Sequence, residues 1–142
     1  MPRVTLEEQP SYQFRHDLSV RLTDTNLGGH LATEALVGLL QEARAHALRE
    51  LGFHSLDLGQ ANVGLVIADL AVSFRQEGAV FDRLAIESHF GDIGRRSFRH
   101  YYRVTRDGEL LALAETGLVC FDYAAREPAP IPEPFLLALE EH

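Results

Sequence analysis

A single long amphipathic helix, set between stretches that alternate every second residue, constrains this chain more than any other feature. Leu36, Leu40, Ala43, Ala47 and Leu51 recur at three- and four-residue spacing, and Leu39 and Leu48 widen the stripe. That spacing puts apolar side chains on one helix face, here over about Ala32 to Leu51. Thr33 is placed to cap the start, Glu34 falls in the first turn where a negative charge suits the dipole, and Gly52 supplies a stop. A lone helix cannot bury its own stripe, so a sheet must cover it.

The strands to build that sheet are legible on both sides. Before the helix, Phe14, His16, Leu18, Val20 and Leu22 alternate with polar residues, which predicts a strand with one buried face. After it, a loop at 53–61 leads to strands over Val63 to Arg75, Leu84 to Phe90 and Arg95 to Arg106. In the last of these Phe98, His100, Tyr102 and Val104 share a face. Asp107-Gly108 signals a hairpin, and Glu109 to Tyr123 is the return strand. The stretch 127–134 carries four prolines and cannot be a central strand, while Phe135 to Glu141 suits a short closing helix. With one crossover helix the design is α+β and antiparallel rather than parallel. The 142 residues show no repeat and read as one domain over 1–142.

Composition narrows the function. With 13 basic against 21 acidic residues the net charge is −8, a poor match to nucleic acid or to an anionic membrane surface. Cys120 is the one cysteine, so no intrachain disulfide forms. The opening MPRVTLEEQPSYQF has no apolar core of a signal peptide, and no apolar run approaches transmembrane length. A soluble, cytoplasmic protein is expected. The seven histidines show no H-E-x-x-H and no zinc spacing, Ser97 lacks a G-x-S-x-G setting, and there is no G-x-G-x-x-G or phosphate-binding loop.

Between the first strand and the helix lies Thr23-Asp24-Thr25-Asn26-Leu27-Gly28-Gly29-His30, a polar loop whose glycines let backbone approach a ligand. Val20 to Leu31, running into Gln41-Glu42-Ala43-Arg44 and Leu51-Gly52, resembles the hotdog-fold thioesterases of the 4-hydroxybenzoyl-CoA thioesterase type. So, in order, do Val72-Ser73-Phe74-Arg75, Phe81-Asp82-Arg83-Leu84, Arg95-Arg96-Ser97-Phe98 and the stretch from Ala114 to Asp122. The resemblance covers roughly residues 14–135. It implies an antiparallel β-sheet wrapped around one long central α-helix, a homodimer or homotetramer with sites between subunits, and an acyl-CoA substrate. Coenzyme A, as part of that substrate, is the only cofactor implied.

The same resemblance places a catalytic carboxylate where this chain has Asn26. A neutral amide can orient water or polarise a carbonyl, but it is neither nucleophile nor general base at neutral pH. A branch of the superfamily with its acid further along the helix would place Gln41 there, beside Glu42; a branch reading D-x-N-x-G-G-H-L-x-x-D/E puts an acid at Glu34. The expected catalytic set is therefore Glu34 as first base, Asp24 as second, with Asn26 and His30 positioning water or shuttling a proton. Backbone amides near Ala32 and Thr33 would face the thioester carbonyl, with Gly29 shaping the loop. Each has a plainer use: Glu34 as a dipole partner, Asp24 and Asn26 as turn residues, His30 as a loop brace. Arg95, Arg96, Ser97 and Arg99 form the densest basic patch, and with Arg75 they are the candidates for the phosphates of CoA, unless they are an ordinary solvated face. The function expected is acyl-CoA thioester hydrolysis. Two alternatives are a hotdog protein that binds acyl-CoA or acyl carrier protein without turnover, and a hydratase or dehydratase on the same fold.

Overall fold

The computed structural model describes residues 4–141. Strand β1 (Phe14–Ser19) and a 3-10 turn (Leu22–Asp24) lead to helix α1 (Thr33–Glu50). Strands β2 (Val63–Phe74), β3 (Arg83–Gly91), β4 (Ser97–Arg106) and β5 (Glu109–Asp122) follow, then the two-residue β6 (Glu127–Pro128) and helix α2 (Glu133–Glu141). The sheet order is β1-β3-β4-β5-β2, every pairing antiparallel, with β6 beside the end of β5. This is the expected α+β plan, one sheet and one long helix.

The β4–β5 hairpin turns where Asp107-Gly108 indicates. Both residues have positive φ, at 50° and 81°, which suits the twist of the flanking strands. The inward face of β4 is the predicted one: Phe98, His100, Tyr102 and Val104 are all buried. They meet the helix stripe, which divides two apolar clusters. Leu36, Leu40 and Ala43 pack with Ile86, Tyr102 and Val104. Ala47 and Leu48 pack with Phe90, Phe98 and, from α2, Phe135. The proline-rich tail adds only the two-residue β6 at the end of β5 and lays Ala129 and Ile131 into that second cluster, so it closes one end of the fold.

Two local expectations are corrected. The alternation before the helix runs to Leu22, yet β1 ends at Ser19 and Leu22 is 70% exposed. The Asp24 carboxylate accepts the Arg21 N–H at 2.9 Å and winds the chain into the 3-10 turn before the alternation is complete. Nor does Thr33 cap α1. Ala32 occupies the cap position with extended backbone and no side-chain cap. What fixes the entry instead is backbone: the Ala32 N–H donates to the Asp24 carbonyl at 2.9 Å. The first-turn N–H groups of Thr33, Glu34 and Ala35 therefore have no partner within the helix.

A polar knot also lies inside the core. Arg44, 7% exposed, donates to the Tyr102 hydroxyl at 3.2 Å, and Thr116 donates to the same oxygen. Beside it His100 is fully buried, and neither ring nitrogen has a partner among the described residues. Burial pushes its imidazole well below the usual range, and the Arg44 charge and His89 push the same way. Folded protein therefore refuses a proton that the unfolded chain takes up near the ordinary imidazole value of 6.5. By linkage, stability falls as pH drops through that value. Urea unfolding should show a loss of stability from about pH 7 to about pH 5 that is smaller in His100→Phe. A residual slope should remain, since His16 and His89 are also pushed down by burial.

Candidate active site

A cavity of about 390 Å³ opens at the start of α1, where the residue 25–31 loop meets the chain between β2 and β3. Leu36, Val104, Leu111 and Ala112 form its apolar floor, and Phe74 its side. Asn26, His30, Thr33, Arg75 and Glu77 supply its polar rim.

The loop is held in shape by its own backbone. Asn26 N–H donates to the His30 carbonyl at 2.9 Å, and Gly29 N–H to the Asn26 carbonyl at 3.0 Å. Gly29 sits at φ 74°, a left-handed conformation that favours glycine. The loop is then zipped to the neighbouring segment: Leu31 N–H reaches the Gly78 carbonyl at 2.8 Å, and Val80 N–H reaches that of Gly29 at 3.1 Å. A side chain on Gly78 would press on Leu31 and Leu111, so a glycine there permits the close approach. Arg106 fastens the same segment from β4. Its guanidinium donates to the Asp82 carboxylate at 2.7 Å, the Glu77 carbonyl at 3.2 Å and the Gln76 side chain at 3.3 Å.

The amide of Asn26 is oriented by this arrangement. Its Oδ1 accepts N–H groups from Gly28 at 3.0 Å and His30 at 3.3 Å. The Nδ2 end has no hydrogen-bond partner among the described residues, so what the residue offers a ligand is a donor. His30 Nδ1 lies 3.3 Å from Glu77 Oε2. Asn26 Oδ1 and His30 Nδ1 both come within 4 Å of the point where a Cβ on Gly28 would stand, so the two side chains are neighbours.

The two expected bases are elsewhere. Asp24 is 5% exposed, and the Arg21 guanidinium grips both carboxylate oxygens at 3.2 Å. That hydrogen bonding holds its carboxyl below the usual range, against the opposing effect of burial. Glu34 and Asp24 both line a separate cleft of about 500 Å³ along the other side of the helix start, with Gly38 and Glu42. Neither lines the cavity that Asn26 and His30 share. Gly29 shapes the loop but does not line that cavity either, whereas Thr33 does.

The basic patch also separates. Arg99 is bound by Glu115 at 2.6 Å and by Asp69 at 2.5 Å, which raises its pKa further and leaves no net positive charge to offer. Arg95, Arg96 and Ser97 are exposed at the start of β4. Val104 lies seven residues along that strand, roughly 23 Å away at ~3.3 Å per residue. Arg75 does line the cavity, with its guanidinium donating to Ser73 and to the Leu6 carbonyl. Glu77 is the residue that sequence reasoning missed. It follows β2 in a Gln-Glu-Gly stretch with no motif of its own, and the backbone contacts between residues 29–31 and 78–80 bring it beside the loop.

The chain is 29% identical over 124 residues to the 1,4-dihydroxy-2-naphthoyl-CoA hydrolase of Synechococcus elongatus, an alignment covering 86% of this chain and 90% of that protein. The crystal structure of a 1,4-dihydroxy-2-naphthoyl-CoA thioesterase from Synechocystis superposes with a TM-score of 0.82 at 22% identity, over 91% of this chain and 98% of that one. A gentisyl-coenzyme A thioesterase gives a TM-score of 0.79, also at 22% identity, over 88% and 98%. These likenesses fix the fold as the hotdog fold. The family model of the thioesterase-like superfamily matches residues 20–139. With most of the chain inside that match, and with the helix start, loop and sheet arranged as described, the protein belongs to the thioesterase-like superfamily.

Proposed function

We propose that this chain is an acyl-CoA thioesterase acting on a compact aromatic acyl group. The observation that carries the reading is an apolar cavity whose rim holds hydrogen-bond donors at a helix start. Hydrolysis of a thioester passes through a tetrahedral oxyanion, and fixed donors aimed at that oxygen are usually the largest catalytic contribution. Asn26 Nδ2 and the free first-turn amides of α1 are the donors we assign to it. The volume of about 390 Å³ falls at the small end of ligand pockets, about 300–1,000 Å³. The relatives named above act, by their names, on one- and two-ring aromatic thioesters. A cytoplasmic setting fits a chain in which, among the described residues, no helix is long and apolar enough to cross a membrane.

A homodimer or larger homo-oligomer belongs to this reading. β2 is a 12-residue strand at the edge of the sheet, and Ile67, Leu70 and Phe74 are exposed along it. A long apolar edge in water favours pairing with another strand. Phe74 also lines the cavity, so a copy docked along β2 would border the site. Such a copy is the source we assign to the phosphate-binding charge of Arg95 and Arg96, which one chain keeps far from its own cavity. Sedimentation should give at least a dimer, and Leu70→Glu should shift it toward monomer.

Thiol release from a panel of aliphatic and aromatic acyl-CoAs tests the activity. Turnover is expected to be fastest with the aromatic members. No turnover with acyl-CoA binding retained would instead favour the binding-protein reading, for which the amide at Asn26 speaks, and hydration of an enoyl-CoA without thiol release would favour a hydratase. Asn26→Ala should lower kcat by about 10²–10³-fold, as loss of one oxyanion donor does. Glu34→Gln should stay within about twofold of the parent, as expected for a surface group outside the site. Asp24→Ala should lower unfolding stability by roughly 1–2 kcal/mol through loss of its turn contacts.

A further inference from the structure

The cavity that holds Asn26 contains one carboxylate among its lining residues, Glu77, and one imidazole, His30. They face each other, His30 Nδ1 to Glu77 Oε2, at 3.3 Å. Asn26 cannot take a proton from water, and its acceptor atom is already used twice within the loop. Asp24 is locked to Arg21, and Glu34 opens onto the other cleft. We infer that His30, oriented by Glu77, is the general base that activates the hydrolytic water. This rests on the thioesterase reading above and names the proton acceptor that it requires.

The division of labour follows from which nitrogen faces the acid. A carboxylate opposite Nδ1 favours the proton on that nitrogen and leaves Nε2 as the acceptor. Nε2 removes a proton from water as the water oxygen bonds to the thioester carbonyl carbon. The carbonyl π pair moves onto oxygen, where Asn26 Nδ2 and the helix amides receive it. On collapse the carbon–sulfur bond breaks and its electron pair leaves on sulfur. The imidazolium returns its proton to that thiolate, giving CoA thiol and the free acid, which ionises to solvent. Glu77 touches no reacting atom and is a positioning residue. Its own turn is held by the Arg106 clamp, so the acid is presented from a fixed segment even though its side chain is 76% exposed.

The test compares the parent with His30→Gln, Glu77→Gln and Glu77→Asp on the best aromatic acyl-CoA, recording kcat and KM across about pH 5 to about pH 9. His30→Gln is expected to lose about 100-fold or more in kcat and to flatten the acidic limb of the profile. Glu77→Gln is expected to lose about tenfold in kcat at little-changed KM, with partial recovery in Glu77→Asp. Thermal unfolding checks that each variant folds; Glu77, on the surface, should be neutral there. Parent turnover with both His30→Gln and Glu77→Gln at parental kcat and pH profile overturns the dyad and leaves the thioesterase reading standing. Loss in His30→Gln alone overturns the role of Glu77. A parent that releases no thiol from any acyl-CoA overturns both readings together.

Discussion

Everything in this molecule depends on the apolar stripe of α1 lying against the inward faces of β3 and β4. Leu36, Leu40, Ala43, Ala47 and Leu48 are buried there together. A fully buried leucine is worth roughly 1.5–3 kcal/mol relative to an exposed one, so the three leucines among them hold the helix far more firmly than its unpartnered first turn could. That security lets the helix start with bare backbone amides. Ala32 offers no cap, and the turn is anchored through the Asp24 carbonyl instead. Leu36 serves both ends of this arrangement, as a core residue and as floor of the cavity. The site is thus the open end of the same contact that makes the fold.

Asn26 shows how one atom changes what such a loop can do. The Oδ1 contacts to Gly28 and His30 are ones a carboxylate oxygen could equally accept. The second oxygen of a carboxylate would then be an acceptor facing the cavity, whereas the amide puts a donor there. The backbone geometry of the loop does not require the charge, and the chemistry that needed it must draw on another residue.

Much of the fold was legible in the sequence because its signals are local. The stripe from Leu36 to Leu48, the inward set on β4 and the Asp107-Gly108 turn each follow from residue spacing alone, and the structure holds all three. The misreadings arose where a side-chain contact that spacing does not show decides. Leu22 continues an alternation that the Arg21–Asp24 contact interrupts. Arg99 reads as free charge until β2 and β5 bring Asp69 and Glu115 to it. Asn26, His30 and Thr33, near in sequence, do share a cavity. Glu34 and Asp24 are near in sequence and face another cleft, whereas Glu77 is 47 residues beyond His30 and arrives through contacts between distant backbone segments.

The same helix runs through both apolar clusters, from Leu36 and Leu40 in one to Ala47 and Leu48 in the other. The cluster at its far end is closed by Phe135 of α2, with no part of the cavity in reach. A strut shared in this way makes the two halves melt as one cooperative unit rather than as separable pieces. Amide protons in the middle of α1 would then be among the last to exchange with solvent, while those of the loop before it exchange early. Substitutions around Phe135 would tune how often the helix start loosens, so the terminal helix acts on the loop before α1 through rigidity alone, without touching it.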